Sequence, residues 1–170
     1  MRKTAIYIFI LCVQTALFAE HPAGIGLGLV AGGGYSGGTG VGTTALSFKL
    51  PRVPVFWECD FSLSSVFFLN LHGDYYIIDS PLSPALKLGW YCGAGLTIGL
   101  ALYKSETAFS CAARIPLGLS WYMPSKPDAA SVELFLEFIP AVGFLVSDTV
   151  GWNYTLGAAL GVRLWIKAEA

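Results

Sequence analysis

The chain of 170 residues is hydrophobic and nearly neutral: 55% of its residues are hydrophobic, 12% are charged, and the formal net charge is -1. Typical soluble domains contain about 25% charged residues, so this composition indicates a protein that resides in lipid. The sequence has no cluster of Lys and Arg, which binding to nucleic acid requires, and that class of function is therefore excluded.

The first residues predict an export signal that is cleaved from the mature protein. A basic pair precedes an apolar run from Ala5 to Val13, and Ala19 lies at a suitable cleavage position. We therefore expect residues 1–19 to be a signal peptide and residues 20–170 to form one domain. Lipidation at Cys12 is a second interpretation of the same segment. Both interpretations take the mature chain out of the cytoplasm.

Eight segments after the signal alternate apolar and polar or small residues with a period of two, which is typical of β-strands. They cover residues 24–31, 43–50, 55–63, 66–78, 86–100, 108–122, 132–138 and 152–165. In the last segment the even positions from Trp152 to Leu164 are all apolar, whereas the odd positions from Asn153 to Arg163 are small or polar. We expect a Gly-rich loop over Gly32–Gly42 and a turn over Asp79–Pro84.

Two prolines, Pro116 and Pro140, lie inside the sixth segment and at the end of the seventh. Each removes a hydrogen-bond donor from the strand ladder, and a closed barrel has no free edge to accommodate this loss. The sequence therefore predicts a bulge or bend at both prolines, with a shift of the alternation after Pro140.

The mature chain contains three cysteines, Cys59, Cys92 and Cys111, at spacings that match no metal motif. The alternation places all three on the outward face, where a thiol behaves as a small apolar group. We expect them to be free thiols.

A helical membrane protein is the main alternative, because Leu88–Tyr103 carries no charge and contains two Gly-x-x-x-Gly spacings. The four glycines, Gly89, Gly93, Gly95 and Gly99, all occupy odd positions. This places them on one face of a strand but not on one face of a helix. The segment is also shorter than the ~20 residues of a spanning helix.

A sheet in lipid must close on itself, because edge N–H and C=O groups would have no water to bind. Eight strands of about 9–11 residues suffice to cross the bilayer, and an even number returns both termini to one side. Small residues on the predicted inner face suit a narrow barrel. We therefore predict an all-β, eight-stranded antiparallel up-and-down transmembrane β-barrel in the outer membrane, without catalytic activity.

The inner faces of the predicted strands carry charges of both signs, which persist in a barrel when they are paired. The predicted lumen network consists of Arg114, Glu133, Glu137, Arg163, Lys87, Glu58, Asp60 and Asp74. A hairpin turn near Asp148 would place Arg163 beside Glu133 and Glu137, and Arg114 could reach Glu137 from the other side. The network is interpreted as a salt-bridged plug, and a gated path for small solutes is the alternative.

Aromatic residues near the segment ends could form the two interfacial girdles of a membrane barrel, or they could simply be apolar packing residues. The predicted girdle residues are Trp57, Tyr75, Trp121, Trp152, Tyr154 and Trp165.

Other chemistry has little support in the sequence. His72 with Asp74, Asp60 and Glu58 contains metal-ligand residue types, but without a ligand-spacing motif a hydrogen-bonded wall is the simpler interpretation. A hydrolytic serine would need a histidine at the barrel mouth. The glycine clusters lack the lysine and helix of a phosphate loop. We expect no catalytic residue, metal or cofactor.

Three stretches, Arg114–Trp121, Glu133–Pro140 and Leu156–Arg163, resemble the small outer-membrane β-barrel family of spirochaetes, which is similar in architecture to the OmpA, OmpX and OmpW transmembrane domains. The resemblance implies a surface-exposed eight-stranded barrel whose partners are membrane lipids, the barrel-assembly machinery and host extracellular proteins. It implies a role in envelope integrity, in passage of small or hydrophobic solutes through a narrow gated channel, or in adhesion to host proteins.

Overall fold

The computed structural model describes residues 21–22, 24–36, 39–63, 67–103, 106–123 and 130–166. The predicted signal peptide, residues 1–19, and Cys12 lie outside the described residues. Within the described part of the chain, no helix is long and apolar enough to cross a membrane.

The described residues form nine β-strands, which make a closed antiparallel ring with eight strand positions. They are β1 (Ile25–Ser36), β2 (Thr39–Lys49), β3 (Val55–Leu63), β4 (Phe67–Ser83), β5 (Leu88–Tyr103), β6 (Glu106–Arg114), β7 (Leu117–Tyr122), β8 (Ser131–Val146) and β9 (Val150–Ile166). Sequential strands pair, β6 and β7 share one position between β5 and β8, and β1 pairs with β9 to close the ring. A short 3₁₀ helix, Pro84–Leu86, connects β4 to β5. The predicted eight-stranded barrel is confirmed.

The break between β6 and β7 falls at Pro116, as predicted. Its carbonyl still accepts a hydrogen bond from the backbone N–H of Gly93, at 2.9 Å. The predicted bend at Pro140 is wrong, because β8 keeps one register with β9 over its whole length. The backbone N–H of Ile115 donates to the carbonyl of Pro140 across the break, at 3.0 Å. Pro140 therefore lies opposite the break at Pro116, so the hydrogen-bond donors that the two prolines lack are missing at one place in the barrel.

The register irregularities lie instead in β4, between Tyr76 and Ile78 and between Pro81 and Ser83. An extra residue in a strand reverses the inward and outward positions that follow it. Tyr76 is buried before the first irregularity, and Asp79 is buried after it. The predicted turn at Asp79 is therefore wrong: the strand continues, and Asp79 points into the barrel.

The expected loop over Gly32–Gly42 is also wrong, because β1 and β2 extend through most of it and Gly33 pairs with Gly42. Glycine weakens isolated strands, but β1 is paired on both sides here, so its backbone groups are satisfied by two neighbours. A Cβ on Gly33 would lie 3.1 Å from the carbonyl oxygen of Val41, so the two backbones approach closely.

The barrel has an apolar outer face and a polar inner one. Leu96 and Leu160 are 63% and 61% exposed, whereas the lumen residues Glu133 and Arg163 are fully buried. Cys59, Cys92 and Cys111 are free thiols, as expected. We call the end where β1 begins and β9 ends the terminal end, and the end of the β8–β9 turn, residues 147–149, the loop end.

Candidate functional site

The centre of the buried network is the carboxylate of Glu133, near the terminal end of β8. Arg163 lies directly opposite it on β9, and its Nη1 donates to Oε2 of Glu133 at 2.9 Å. The indole Nε1 of Trp165 donates to the same oxygen at 2.8 Å. All three side chains are almost completely buried. The structure thus contains the ion pair between Arg163 and Glu133 that the hairpin register predicts.

His21, in the segment that precedes β1, occupies the middle of this end of the lumen. Its Nδ1 lies 2.7 Å from Oδ2 of Asp79, and its Nε2 lies 3.0 Å from Oε1 of Glu133. Five aromatic rings surround the imidazole at centroid distances of 4.9 to 6.1 Å: Phe56, Tyr76, Tyr91, Tyr122 and Trp165. Burial disfavours the charged ring, but Glu133 and Asp79 outweigh this effect and raise the pKa of His21 to about 9.

The guanidinium of Arg163 is enclosed by aromatic rings as well as by its ion pair. Its central carbon lies 4.5 Å from the ring centroid of Phe135 and 5.0 Å from that of Phe56. Its Nη2 donates to Oγ of Ser47 at 2.8 Å. The planar guanidinium of arginine can lie flat on an aromatic ring while it donates several hydrogen bonds in its own plane, which the ammonium group of lysine cannot do.

Glu137 lies two inward positions further along β8, beyond Phe135, and has different partners from those predicted. The hydroxyl groups of Tyr91 and Tyr76 donate to its Oε1 at 2.6 and 3.1 Å. The register places Ala159, not Arg163, opposite Glu137. The predicted position of Glu137 beside Arg163 is therefore wrong.

Arg114 joins the predicted network through a second group of carboxylates. Its Nη2 lies 3.2 Å from Oδ2 of Asp74 and 3.7 Å from Oε2 of Glu58. Asp60 is the neighbouring inward carboxylate on β3, and its Oδ1 lies 2.6 Å from Nε2 of His72. Nδ1 of the same ring lies 2.7 Å from Oγ1 of Thr97, so Asp60 belongs to a hydrogen-bonded wall.

Two predicted site residues lie elsewhere. Lys87 is exposed at the end of the 3₁₀ helix with a left-handed φ of 53°, and its N–H donates to the carbonyl of Pro84. It cannot contribute to the lumen because the chain turns there. The girdle prediction for Trp165 is wrong, because its side chain is 1% exposed and faces the lumen. Like Arg163, it occupies an odd position of β9, and the odd positions point inward.

The other predicted girdle residues lie at the two ends of the barrel. Trp57, Tyr75 and Trp121 lie on strands β3, β4 and β7 near the turns of the terminal end. Trp152 and Tyr154 are 73% and 68% exposed near the loop end. Their depth in a membrane stays a prediction.

Sequence reasoning missed His21 and Asp79 as lumen residues. His21 directly follows the predicted cleavage region, where side chains carry no periodic signal. Asp79 follows the register irregularity in β4, which turns its odd position inward. The two consecutive isoleucines at this irregularity give no sign of it in the alternation. In the described residues no cluster of three His, Cys, Asp or Glu side chains is arranged to hold a metal.

We define the lumen plug as His21, Tyr91, Glu133, Phe135, Arg163 and Trp165, all of which are buried in the terminal half of the barrel. Its ion pairs, hydrogen bonds and ring contacts connect several strands of the ring with the segment before β1. The arrangement can hold the strands together and fill the lumen, in the way side chains fill narrow eight-stranded barrels.

Comparisons with known proteins identify the class of fold. No protein-family model matches the sequence, and no curated protein sequence matches it at a significant level. Among solved structures, Neisserial surface protein A (NspA) is similar with a TM-score of 0.54 and 13% identity, over 84% of this chain and 96% of NspA. The chain therefore has the fold of a small outer-membrane β-barrel.

The N-terminal β-barrel domain of Pseudomonas aeruginosa OprF is also similar, with a TM-score of 0.41, 14% identity, and coverage of 80% of this chain and 96% of the domain. The likeness of the fold to a small outer-membrane barrel rests on NspA. Membership of the spirochaete family stays a prediction.

Proposed function

We propose that this protein is exported after cleavage of residues 1–19, spans an outer membrane as a sealed barrel, and acts as a surface-exposed structural component of the envelope without catalytic activity. The apolar outer face supports contact with lipid, since Leu27, Leu96 and Leu160 are each more than half exposed. The likeness to NspA, which is named a surface protein, supports the cellular location. Membrane lipids and the barrel-assembly machinery are the proposed partners.

The lumen plug is the observation that carries this proposal. Tyr91 and Phe135 are 0% and 1% exposed, and the ion pair of Glu133 with Arg163 lies between them and the terminal end. A solute crossing the barrel would have to displace buried charges that are paired with one another, which costs several kcal/mol. The described lumen is therefore closed at its terminal half.

A narrow gated channel is the second candidate, and one observation favours it: among the described residues, the half of the lumen toward the loop end contains a cavity of about 410 Å³. Conductance in planar lipid bilayers distinguishes the two functions, with a large porin as a positive control. We expect silence from the wild-type protein and from Glu137→Ala. Steady wild-type current that rises in Glu137→Ala would refute the sealed barrel and support a gated path.

Adhesion to host proteins is less well supported, because β8 and β9 are joined by only three residues, Ser147–Thr149, which offer little binding surface. Far-UV circular dichroism in detergent with heat-modifiable gel migration tests the membrane-barrel assignment itself. We expect a β spectrum and a mobility shift on boiling, and a helical spectrum would refute the assignment.

A further inference from the structure

The half of the lumen toward the loop end contains a cavity of about 410 Å³. Its floor includes Val30, Ala45 and Ala159, which pack over the ring of Phe135 in the lumen plug. Its upper wall includes Leu145, next to the β8–β9 turn. Among the described residues the cavity thus has the form of a cup: the lumen plug closes it toward the terminal end, and its walls extend toward the loop end.

The cup exists because many side chains on its wall are too small to fill the lumen. Many inward positions in this half are glycine or alanine, including Gly32, Gly34, Ala112, Ala141 and Gly157. Side chains normally fill an eight-stranded barrel, as they do in the terminal half of this one. The resulting volume lies within the range of about 300–1,000 Å³ that is usual for small-molecule sites.

The two sides of the cup differ in chemistry. The side formed by β1, β2, β8 and β9 carries no charged residue in the lining: its floor is apolar, with Val30, Ala45 and Ile139, and Thr43, Asn153 and Thr155 lie nearer the loop end. The opposite side, formed by β3, β4 and β6, carries the carboxylates of Glu58 and Asp60. A ligand that fits both sides has an apolar body and one polar end.

Carboxylates outnumber guanidinium groups among the described residues on and directly behind the polar side of the cup. Among the described residues there, Glu58 and Asp74 share the single guanidinium of Arg114, at 3.7 and 3.2 Å. Asp60 has only the ring of His72 as a basic partner, at 2.6 Å. Glu58 and Asp60 line the cup, whereas Asp74 lies behind its wall and takes part of the charge of Arg114, which is the one guanidinium among the described lining residues. Charge complementarity therefore favours a cation as the occupant.

We propose that the cup binds a small organic cation with a compact apolar body and a protonated amine. The apolar body packs against the side of Val30 and Ala45. The ammonium group lies between Glu58 and Asp60 and donates hydrogen bonds to their carboxylates, which are acceptors of the strong, charge-assisted kind. The inference concerns the barrel itself and holds whether or not the protein performs the envelope role proposed above.

Three probes that share the adamantane cage and differ in their polar group test the proposal: 1-adamantylamine, 1-adamantanol and 1-adamantanecarboxylate. Each is titrated calorimetrically into the full-length mature protein in lipid nanodiscs, and titrations into empty nanodiscs correct for partition into lipid. We expect saturable 1:1 binding of the amine, at least about tenfold weaker binding of the alcohol, and no binding of the carboxylate. Equal binding of amine and alcohol, preference for the carboxylate, or no binding of any probe would overturn the proposal.

Two variants locate the binding site. Glu58→Gln should weaken binding of the amine at least about tenfold, because it removes a charge-assisted acceptor. Gly157→Leu should abolish binding by filling the cup. A Cβ at Gly157 makes only ordinary contacts, the nearest at 3.4 Å to the carbonyl oxygen of Ile139, so this variant should fold. Asp148→Asn, at the exposed β8–β9 turn, is the control and should bind like the wild type.

Heat-modifiable migration reports whether each variant is folded. If Glu58→Gln does not fold, Gly157→Leu decides the question alone. Undiminished binding of the amine by folded Gly157→Leu would show that the probe binds outside the cup and would overturn the proposal.

Discussion

Replacement of Glu133 by glutamine should strongly destabilise the barrel, because it removes the carboxylate at the centre of the lumen plug. The carboxylate is fully buried and holds Arg163, Trp165 and His21 at 2.9, 2.8 and 3.0 Å. The variant E133Q keeps one acceptor oxygen but leaves the guanidinium of Arg163 without its counter-charge. The loss of one partner of a buried ion pair costs about 3–5 kcal/mol, so we expect a decrease of about 4 kcal/mol in the free energy of unfolding.

A double-mutant cycle separates the ion pair from general damage to packing. In E133Q with Arg163→Met, no buried guanidinium remains without a partner, so the double variant should recover about 2 kcal/mol relative to the sum of the two single effects. Urea-induced unfolding in phospholipid vesicles, followed by tryptophan fluorescence and gel mobility, measures each free energy. Asp148→Asn, an exposed carboxylate, should stay within about 0.5 kcal/mol of the wild type.

Either of two results would refute this reasoning. E133Q within about 1 kcal/mol of the wild type would mean that water or a rearranged side chain compensates the charge of Arg163. Strictly additive single effects in the cycle would mean that the two residues act independently despite their 2.9 Å contact.

Further predictions concern pH, packing and orientation. The pKa of His21 in the folded barrel is about 9, so protonated His21 should stabilise the barrel fully below the ordinary histidine pKa of about 6.5. This stabilisation, about 3 kcal/mol, should be lost as the pH rises from 6.5 through 9. Urea midpoints at pH 6 and 9.5 measure this, and an equal loss in H21Q would contradict it. Gly161→Ala should lower the free energy of unfolding by about 1–3 kcal/mol, because the new Cβ would lie 2.5 Å from a ring carbon of Phe135. Gly157→Ala should lower it by less than about 1 kcal/mol. Similar urea midpoints for the two variants would argue against tight packing at Gly161. In intact cells a membrane-impermeant maleimide should label Asp148→Cys but not the wild-type Cys111, and mass spectrometry showing label on Cys111 would place that face in water.

The alternation of apolar and polar residues predicts most of the inward and outward positions. Where a prediction departs from the alternation, as the girdle prediction for Trp165 does, it is wrong. The odd position of Trp165 places it on the face of Arg163, yet its aromatic character at a strand end led to the girdle assignment. The pairing of Arg163 with Glu133 could be predicted because the short turn after β8 determines the register of the whole hairpin. Glu137 lies four residues further, about 13 Å along the strand, which is too far from the same guanidinium.

The aromatic environment of His21 could not be predicted, because it depends on two features with no periodic signature. One is the extra residue in β4, which turns Asp79 inward after Tyr76. The other is the path of the chain before β1, where no strand pairing constrains the backbone. The sequence pattern identifies an inward face, but it does not identify which distant strands supply the partners of each charge.

The position of His21 also determines when the barrel is complete. Its imidazole lies between the carboxylates of Asp79 and Glu133, at 2.7 and 3.0 Å, so without it these two buried carboxylates would lose the cationic group that they share. His21 reaches this place from the chain that precedes β1, so its insertion requires that the ring has already brought β4, β8 and β9 together. We therefore expect the segment before β1 to dock last. In refolding experiments H21Q should form the heat-modifiable barrel at the wild-type rate and unfold faster, because an interaction absent from the transition state affects only the unfolding rate.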